Sequence, residues 1–141
     1  MKENKLKDII ITDEDLVNGK LTKQYPDIKV NFSCSHTKIT SLEFAPQYVG
    51  GSFGCSDTKI TSLKGIGKDY LKEVKGIIYL NDCHELKSSM LGLMLVKELQ
   101  RIYFDNNEIE EIFNRHLQGE RDILDCQEQL ITEGFKEYAK L

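Results

Sequence analysis

The chain has no long apolar run: its longest, Met90 to Val96, falls far short of the roughly 20 residues that a membrane-spanning helix needs. Its opening residues, MKENKLKD, contain no hydrophobic core, so no secretory signal is expected. The four cysteines include no C-x-x-C pair, and neither a phosphate-binding loop nor a dinucleotide fingerprint occurs. These absences argue against membrane insertion, zinc-finger chemistry and nucleotide-driven catalysis. They lead to the expectation of a cytoplasmic protein with reduced thiols and no cofactor or metal. What is present is ordinary: 40% hydrophobic and 30% charged residues across 141 positions, the length of a single domain.

Within this composition five stretches share one template, with apolar residues at positions 1, 3 and 8 and a group able to bond backbone at position 6. The copies are Ile9, Ile11, Glu14, Leu16; Phe32, Cys34, Thr37, Ile39; Phe53, Cys55, Thr58, Ile60; Ile78, Leu80, Cys83 and, one place late, Leu86; and Ile102, Phe104, Asn107, Ile109. FSCSHTKITSL and FGCSDTKITSL are nearly identical, which points to duplication. The copies start 23, 21, 25 and 24 residues apart. Positions 1 and 3 point inward because strand side chains alternate, while position 6 must satisfy backbone groups where the chain bends away. Glu14 departs from the pattern at that position.

The spacing and the string Leu99, Ile102, Phe104, Asn107, Ile109 resemble leucine-rich repeats. More closely, VGGSFGCSDTKITSL with the preceding LEFAPQY is similar to short repeats of bacteriophage-encoded proteins, and DCQEQLITEGFKEYAKL to the tail that closes them. The resemblance covers roughly residues 28 to 141. It implies a phage product acting inside the host bacterium, as a host-takeover or counter-defence inhibitor, and is nearly silent on activity.

The expected fold is therefore α/β: a small leucine-rich-repeat-like solenoid with a parallel sheet of about five short strands, capped by C-terminal helices. A single domain is expected, with an N-terminal cap repeat over 1–27, the solenoid over 28–104, and the last repeat turn and helical cap over 105–141. Strands are predicted near Ile9–Ile11, Val30–Cys34, Gly51–Cys55, Ile77–Leu80 and Arg101–Phe104. Pro26, Pro46, Gly50, Gly51, Gly65, Gly67 and Gly76 mark bends, so the early returns should be loops or single helical turns. SSMLGLMLVKEL reads as a helix from Ser88 or Ser89 to about Leu99, apolar around most of its axis. Two apolar stripes can cover it: Ile109, Ile112, Phe113, His116, Leu117, and then Ile123, Leu124, Cys126, Leu130, Ile131. Gly119 separates their helices and Gly134 ends the second.

Cys34 and Cys55 occupy equivalent inward positions and are read as small buried hydrophobes, with a disulfide or a zinc site including Cys83 and His36 or His84 as the lesser alternatives. From Asp105 onward ten acids face four bases, a balance of −6 that leaves +2 for the rest of a chain of net charge −4. That acidic end permits a basic protein partner, although charged helix faces are commonly just solvated.

Function is expected on the outward columns of the strand face. Position 2 gives Ile10, Ser33, Gly54, Tyr79, Tyr103; position 4 gives Thr12, Ser35, Ser56, Asn81, Asp105; position 5 gives Asp13, His36, Asp57, Asp82, Asn106. Tyrosines supply rigid contact area with a polar tip, so Tyr79, Tyr103, Asp82 and Asp105 form the candidate centre of a protein-binding surface, extended by Asn81, Asp57 and His36. The competing reading is that the tyrosines only support each other across strands. These columns lack Lys and Arg, which disfavours a nucleic-acid backbone as ligand. Ser35, Ser56, His36 and Asp57 offer a Ser/His/Asp set on paper, but on an exposed strand face without an oxyanion hole. The expectation is a non-catalytic module that binds a host or phage protein; a virion assembly accessory or an uncharacterised enzyme are the alternatives, and the oligomeric state is left open.

Overall fold

The computed structural model describes residues 7–141. Among these residues there are nine short strands: β1 (Ile9–Ile10), β2 (Leu16–Val17), β3 (Lys20–Leu21), β4 (Phe32–Ser33), β5 (Tyr48–Val49), β6 (Phe53–Gly54), β7 (Glu73–Val74), β8 (Ile77–Leu80) and β9 (Arg101–Phe104). Five of them, in the order β1-β4-β6-β8-β9, make one parallel sheet. Its register places Ile9, Phe32, Phe53, Ile78 and Ile102 opposite one another, the alignment that the repeat dictates. The chain is thus an α/β protein built on a β-solenoid of about 4 turns, closed by two helices.

The interior follows from alternation along each strand. Phe32 and Phe53 are fully buried and stack with ring centroids 5.6 Å apart, and Cys34, Cys55, Leu80 and Phe104 continue the buried layer. One hydrophobic cluster extends from Ile11 to Ala139. At the strand ends, position 5 adopts a left-handed backbone in three successive copies, at His36 (φ 61°), Asp57 (φ 54°) and Asp82 (φ 60°). Position 6 then bonds the backbone: Thr37 Oγ1 donates to the Cys34 carbonyl at 2.7 Å, Thr58 Oγ1 to the Cys55 carbonyl at 3.1 Å, and Cys83 Sγ to the same Cys55 carbonyl at 2.9 Å. In the fifth copy the register slips. Asn106, not Asn107, takes the bonding role, its side chain accepting from the Ile109 N–H at 3.0 Å as the cap of a helix.

The returns are loops, and they carry a second parallel ladder that the sequence pattern does not announce. β5 pairs with β7, and the column extends through single bridges from Ile28 to Val49 and from Glu73 to Lys97. In the first turn β2 and β3 form an antiparallel hairpin that buries Leu21.

The helix expected over 88–99 does not form. That segment keeps to the solenoid path, with one 3-10 helical stretch at Leu91–Leu95. Tertiary pairing overrides its local propensity: the N–H groups of Ser89, Met90 and Leu91 donate to the carbonyls of Glu137, Tyr138 and Lys140 in the C-terminal tail, and Ser88 bridges to Ser62 in the preceding turn. Gly92 lies so close to Ile66 that a Cβ there would collide with the Ile66 carbonyl oxygen.

Two helices complete the chain, α1 (Asn107–Gln118) and α2 (Ile123–Thr132). Ile109, Ile112, Phe113 and Leu117 of α1 are buried, whereas half-buried His116 reaches Gln129 of α2 with its Nε2 2.8 Å from Oε1. α2 buries Cys126 and Leu130 but not its whole expected stripe. Leu124 and Ile131 are 69% and 52% exposed because the helix is covered along one narrow side. A polar stripe of α1 also reads the edge of the sheet. Gln118 donates to the Gln100 carbonyl, Asn114 accepts from the Ile102 N–H (2.7 Å) and donates to its carbonyl (3.0 Å), and Glu110 accepts from the Phe104 N–H (2.7 Å). The match is geometric: four residues of helix rise about 6 Å and two residues of strand about 6.6 Å, so side chains four apart meet strand residues two apart. Arg121 pins the junction, donating to the carbonyls of Leu117, Val96 and Leu99. Among the described residues no helix is long and apolar enough to cross a membrane.

Candidate functional site

The outward face of the five-stranded sheet divides into an aromatic half and a small polar half. Tyr79 and Tyr103, opposite each other on β8 and β9, are half-buried and stack at 5.4 Å with 12° between the rings. The guanidinium of Arg101 lies 4.8 Å from the Tyr103 ring centroid, a cation–π contact. Arg101 was not among the candidate residues, yet alternation could have found it: the residue before position 1 points to the same side as positions 2 and 4. That extra column contains Asp8, Asn31, Ser52, Ile77 and Arg101.

On the other side of Tyr79, Gly54 is its register partner and provides no side chain. A shallow depression of about 400 Å³ results, lined by Asn31, Phe32, Ser33, Ser35, Ser52, Gly54, Ser56 and Tyr79. Three of its serine hydroxyls are held by backbone N–H groups. Ser33 Oγ accepts from the Ser35 N–H (3.2 Å), Ser35 Oγ from the Ser56 N–H (2.9 Å) and Ser52 Oγ from the Ile77 N–H (3.0 Å). Each hydroxyl keeps its own O–H to donate. Rigid placement is the consequence.

Acids rim this face where the strands end. Asp105 Oδ2 accepts from the Asp82 N–H at 2.8 Å and lies 4.0 Å from His84 Nδ1, so Asp82 and Asp105 do come together beside the tyrosines. Asn81, half-buried, gives its carbonyl to the Asp57 N–H at 2.8 Å. His36 Nδ1 and Asp57 Oδ2 are 3.0 Å apart with side chains 76% and 61% exposed. His36, Asp57 and Asp82 thus have a conformational task as well, since each occupies the left-handed turn position. Asp and Asn tolerate that conformation better than most residues, and in this chain a histidine fills it once.

Cys34, Cys55 and Cys83 beneath the face, and Cys126 in α2 of the cap, are all buried free thiols. Hydrogen bonding with Cys34, together with burial, raises the Cys55 thiol well above its usual range, and contact with Cys55 plus burial does the same to Cys83. Burial alone pushes Cys126 up to about 12. Because the thiolate is the reactive form, these groups are suppressed as nucleophiles. Tyr70 is buried in the core, its hydroxyl donating to the Lys64 carbonyl at 2.9 Å, and burial raises its pKa likewise. Among the described residues no group of three or more His, Cys, Asp or Glu side chains is placed to hold a metal ion.

The class that this architecture defines is a capped parallel β-solenoid with an aromatic and acidic strand face. No protein-family model matches the chain, and neither a curated protein nor a solved structure does.

Proposed function

We propose that this protein is a non-catalytic interaction module whose strand face binds another protein, and that it is a phage product that inhibits or redirects a host defence or regulatory protein in the bacterial cytoplasm. The observation that carries the binding reading is the stack of Tyr79, Tyr103 and Arg101 beside a polar depression on a rigid sheet. Aromatic and arginine side chains with adjoining pockets dominate binding energy at protein interfaces. The phage and host setting rests on the repeat resemblance. Five carboxylates in the outward columns, Asp8, Asp13, Asp57, Asp82 and Asp105, against the single Arg101 favour a partner with a basic surface and disfavour a phosphate backbone.

Capture from lysates of phage-infected bacteria, followed by affinity measurement on the captured partner, tests this reading. Tyr79→Ala and Tyr103→Ala should each weaken binding by about 2 kcal/mol with the fold intact. If both variants, together with Asp82→Lys and Asp105→Lys, bind as the parent does, the strand face is not the interface and the acidic helices become the surface to examine.

A further inference from the structure

We infer that the depression beside Tyr79 is a receptor for one arginine side chain from a basic segment of the partner protein, an inference that rests on the strand-face reading. The position-2 column runs Ser33, Gly54, Tyr79, Tyr103 across four neighbouring strands. Tyrosine rings occupy its last two places at 5.4 Å spacing, one strand apart. Gly54 leaves the next place empty. Between the main chains at Ser33 and Tyr79 there are two strand spacings, roughly 10 Å, enough for one flat group laid against the free face of Tyr79.

The chemistry of the surroundings selects that group. A guanidinium is flat, stacks on tyrosine, and donates several hydrogen bonds in its own plane. The chain already seats one guanidinium on this pair of rings, that of Arg101 on Tyr103. An incoming arginine would meet the serine hydroxyls of Ser33, Ser35 and Ser56, each with acceptor capacity left after its bond to a backbone N–H or its exposure to solvent. Its charge would be met at the strand ends by the exposed carboxylates of Asp82 and of Asp57, the latter also 3.0 Å from His36. Lys38 and Lys59 follow only beyond the bend, two residues after the position-5 column. A nucleotide would bring phosphates towards those same carboxylates, and a neutral sugar would leave them unused. Lysine lacks the plane needed for the empty place.

The test uses the full chain and four small probes: capped arginine (N-acetyl-arginine methylamide), capped lysine, methyl glucoside and adenosine monophosphate. Amide NMR spectra report which residues respond. At millimolar concentration the arginine probe should move the signals of Ser33, Gly54 and Tyr79, with the lysine probe roughly tenfold weaker for want of stacking. Tyr79→Leu, which keeps the bulk and removes the aromatic face, should abolish the response. Gly54→Thr should do so by filling the empty place, and Gly54→Ala serves if threonine disturbs the sheet: its Cβ would meet the Ser33 and Ser35 hydroxyls at 3.1 Å, atoms that can rotate aside. Equal responses to lysine and arginine, a stronger response to the glucoside or the nucleotide, or no shift at these three amides would overturn the inference. Partner binding that falls in Tyr79→Ala and Tyr103→Ala but survives Gly54→Thr would leave the strand-face reading standing and remove the arginine receptor.

Discussion

At the C-terminal end of the sheet, α1 gives β9 almost what a further strand would: Asn114 bonds both backbone groups of Ile102 and Glu110 takes the N–H of Phe104. At the N-terminal end, β1 is a two-residue strand with Ile10 70% exposed, and the nearby hairpin leaves Val17 61% exposed. Asp15 takes the Thr12 N–H there at 2.9 Å. Both ends must deal with unpaired strand groups, which otherwise template pairing with other chains. One end does so by covering a four-residue edge with a helix; the other keeps the edge short and places the Asp15 carboxylate at its end. The lesson is that the cap is part of the fold at one end, where it supplies hydrogen bonds and apolar cover together, whereas at the opposite end, among the described residues, the edge is managed mainly by being short.

Removing the C-terminal cap should have the largest effect. A chain ending at Asp105 loses the polar stripe of α1, the Arg121 clamp and the tail that pairs with Ser89, Met90 and Leu91. It should be insoluble or lack a cooperative unfolding transition. A soluble fragment that melts cooperatively would show that the helices are an appendage, and that the two ends differ in function and not in structural need.

A smaller change isolates the edge bonding. Asn114→Leu leaves the N–H and the carbonyl of Ile102 unpaired beneath the helix, at a cost of about 3 kcal/mol given the penalty for unsatisfied buried groups. Urea denaturation measures it, and a loss under 1 kcal/mol would mean that water or a shifted helix replaces Asn114.

The thiol buried in the cap predicts a pH dependence. Cys126 is raised from 9.0 to about 12 in the folded chain. Its contribution to stability is fully present below pH 9 and is lost as pH rises towards 12, because the unfolded chain releases the proton first. The slope is about 1.4 kcal/mol per pH unit. Cys126→Ala should have a correspondingly flatter stability profile above pH 9, and an unchanged profile would place Cys126 outside the folded core of the cap. At the other end, Ile10→Ala should shift stability by no more than about 0.5 kcal/mol, since its side chain is mostly solvated. A larger loss, especially one that depends on protein concentration, would reveal that this edge is covered in solution.

The candidate site was only partly legible. Pairing of Tyr79 with Tyr103 and of His36 with Asp57 followed from the column arithmetic, because both are register neighbours. The empty place at Gly54 is not announced by the repeat, because the missing side chain matters to its register partner Tyr79 and not to the backbone of the glycine itself. Arg101 lay one position outside the template. The left-handed turns at His36, Asp57 and Asp82 escaped notice because neither aspartate nor histidine announces positive φ as glycine does.

By itself the sequence determined the five strands of the main sheet, their order and their register, because duplicated copies carry the same inward residues at the same spacing and a slip by one residue would expose all of them. Phe32 over Phe53, and Thr37 and Thr58 turning their hydroxyls to the strand ends, are direct outcomes of that repetition. Tertiary structure alone decided the path of residues 88–99, the second ladder through Val49 and Val74, and the reading of β9 by Glu110, Asn114 and Gln118. Each of those depends on segments far apart in the chain becoming neighbours, and hydrogen bonds to a distant backbone outweigh the fraction of a kilocalorie per residue by which local propensity favours a helix.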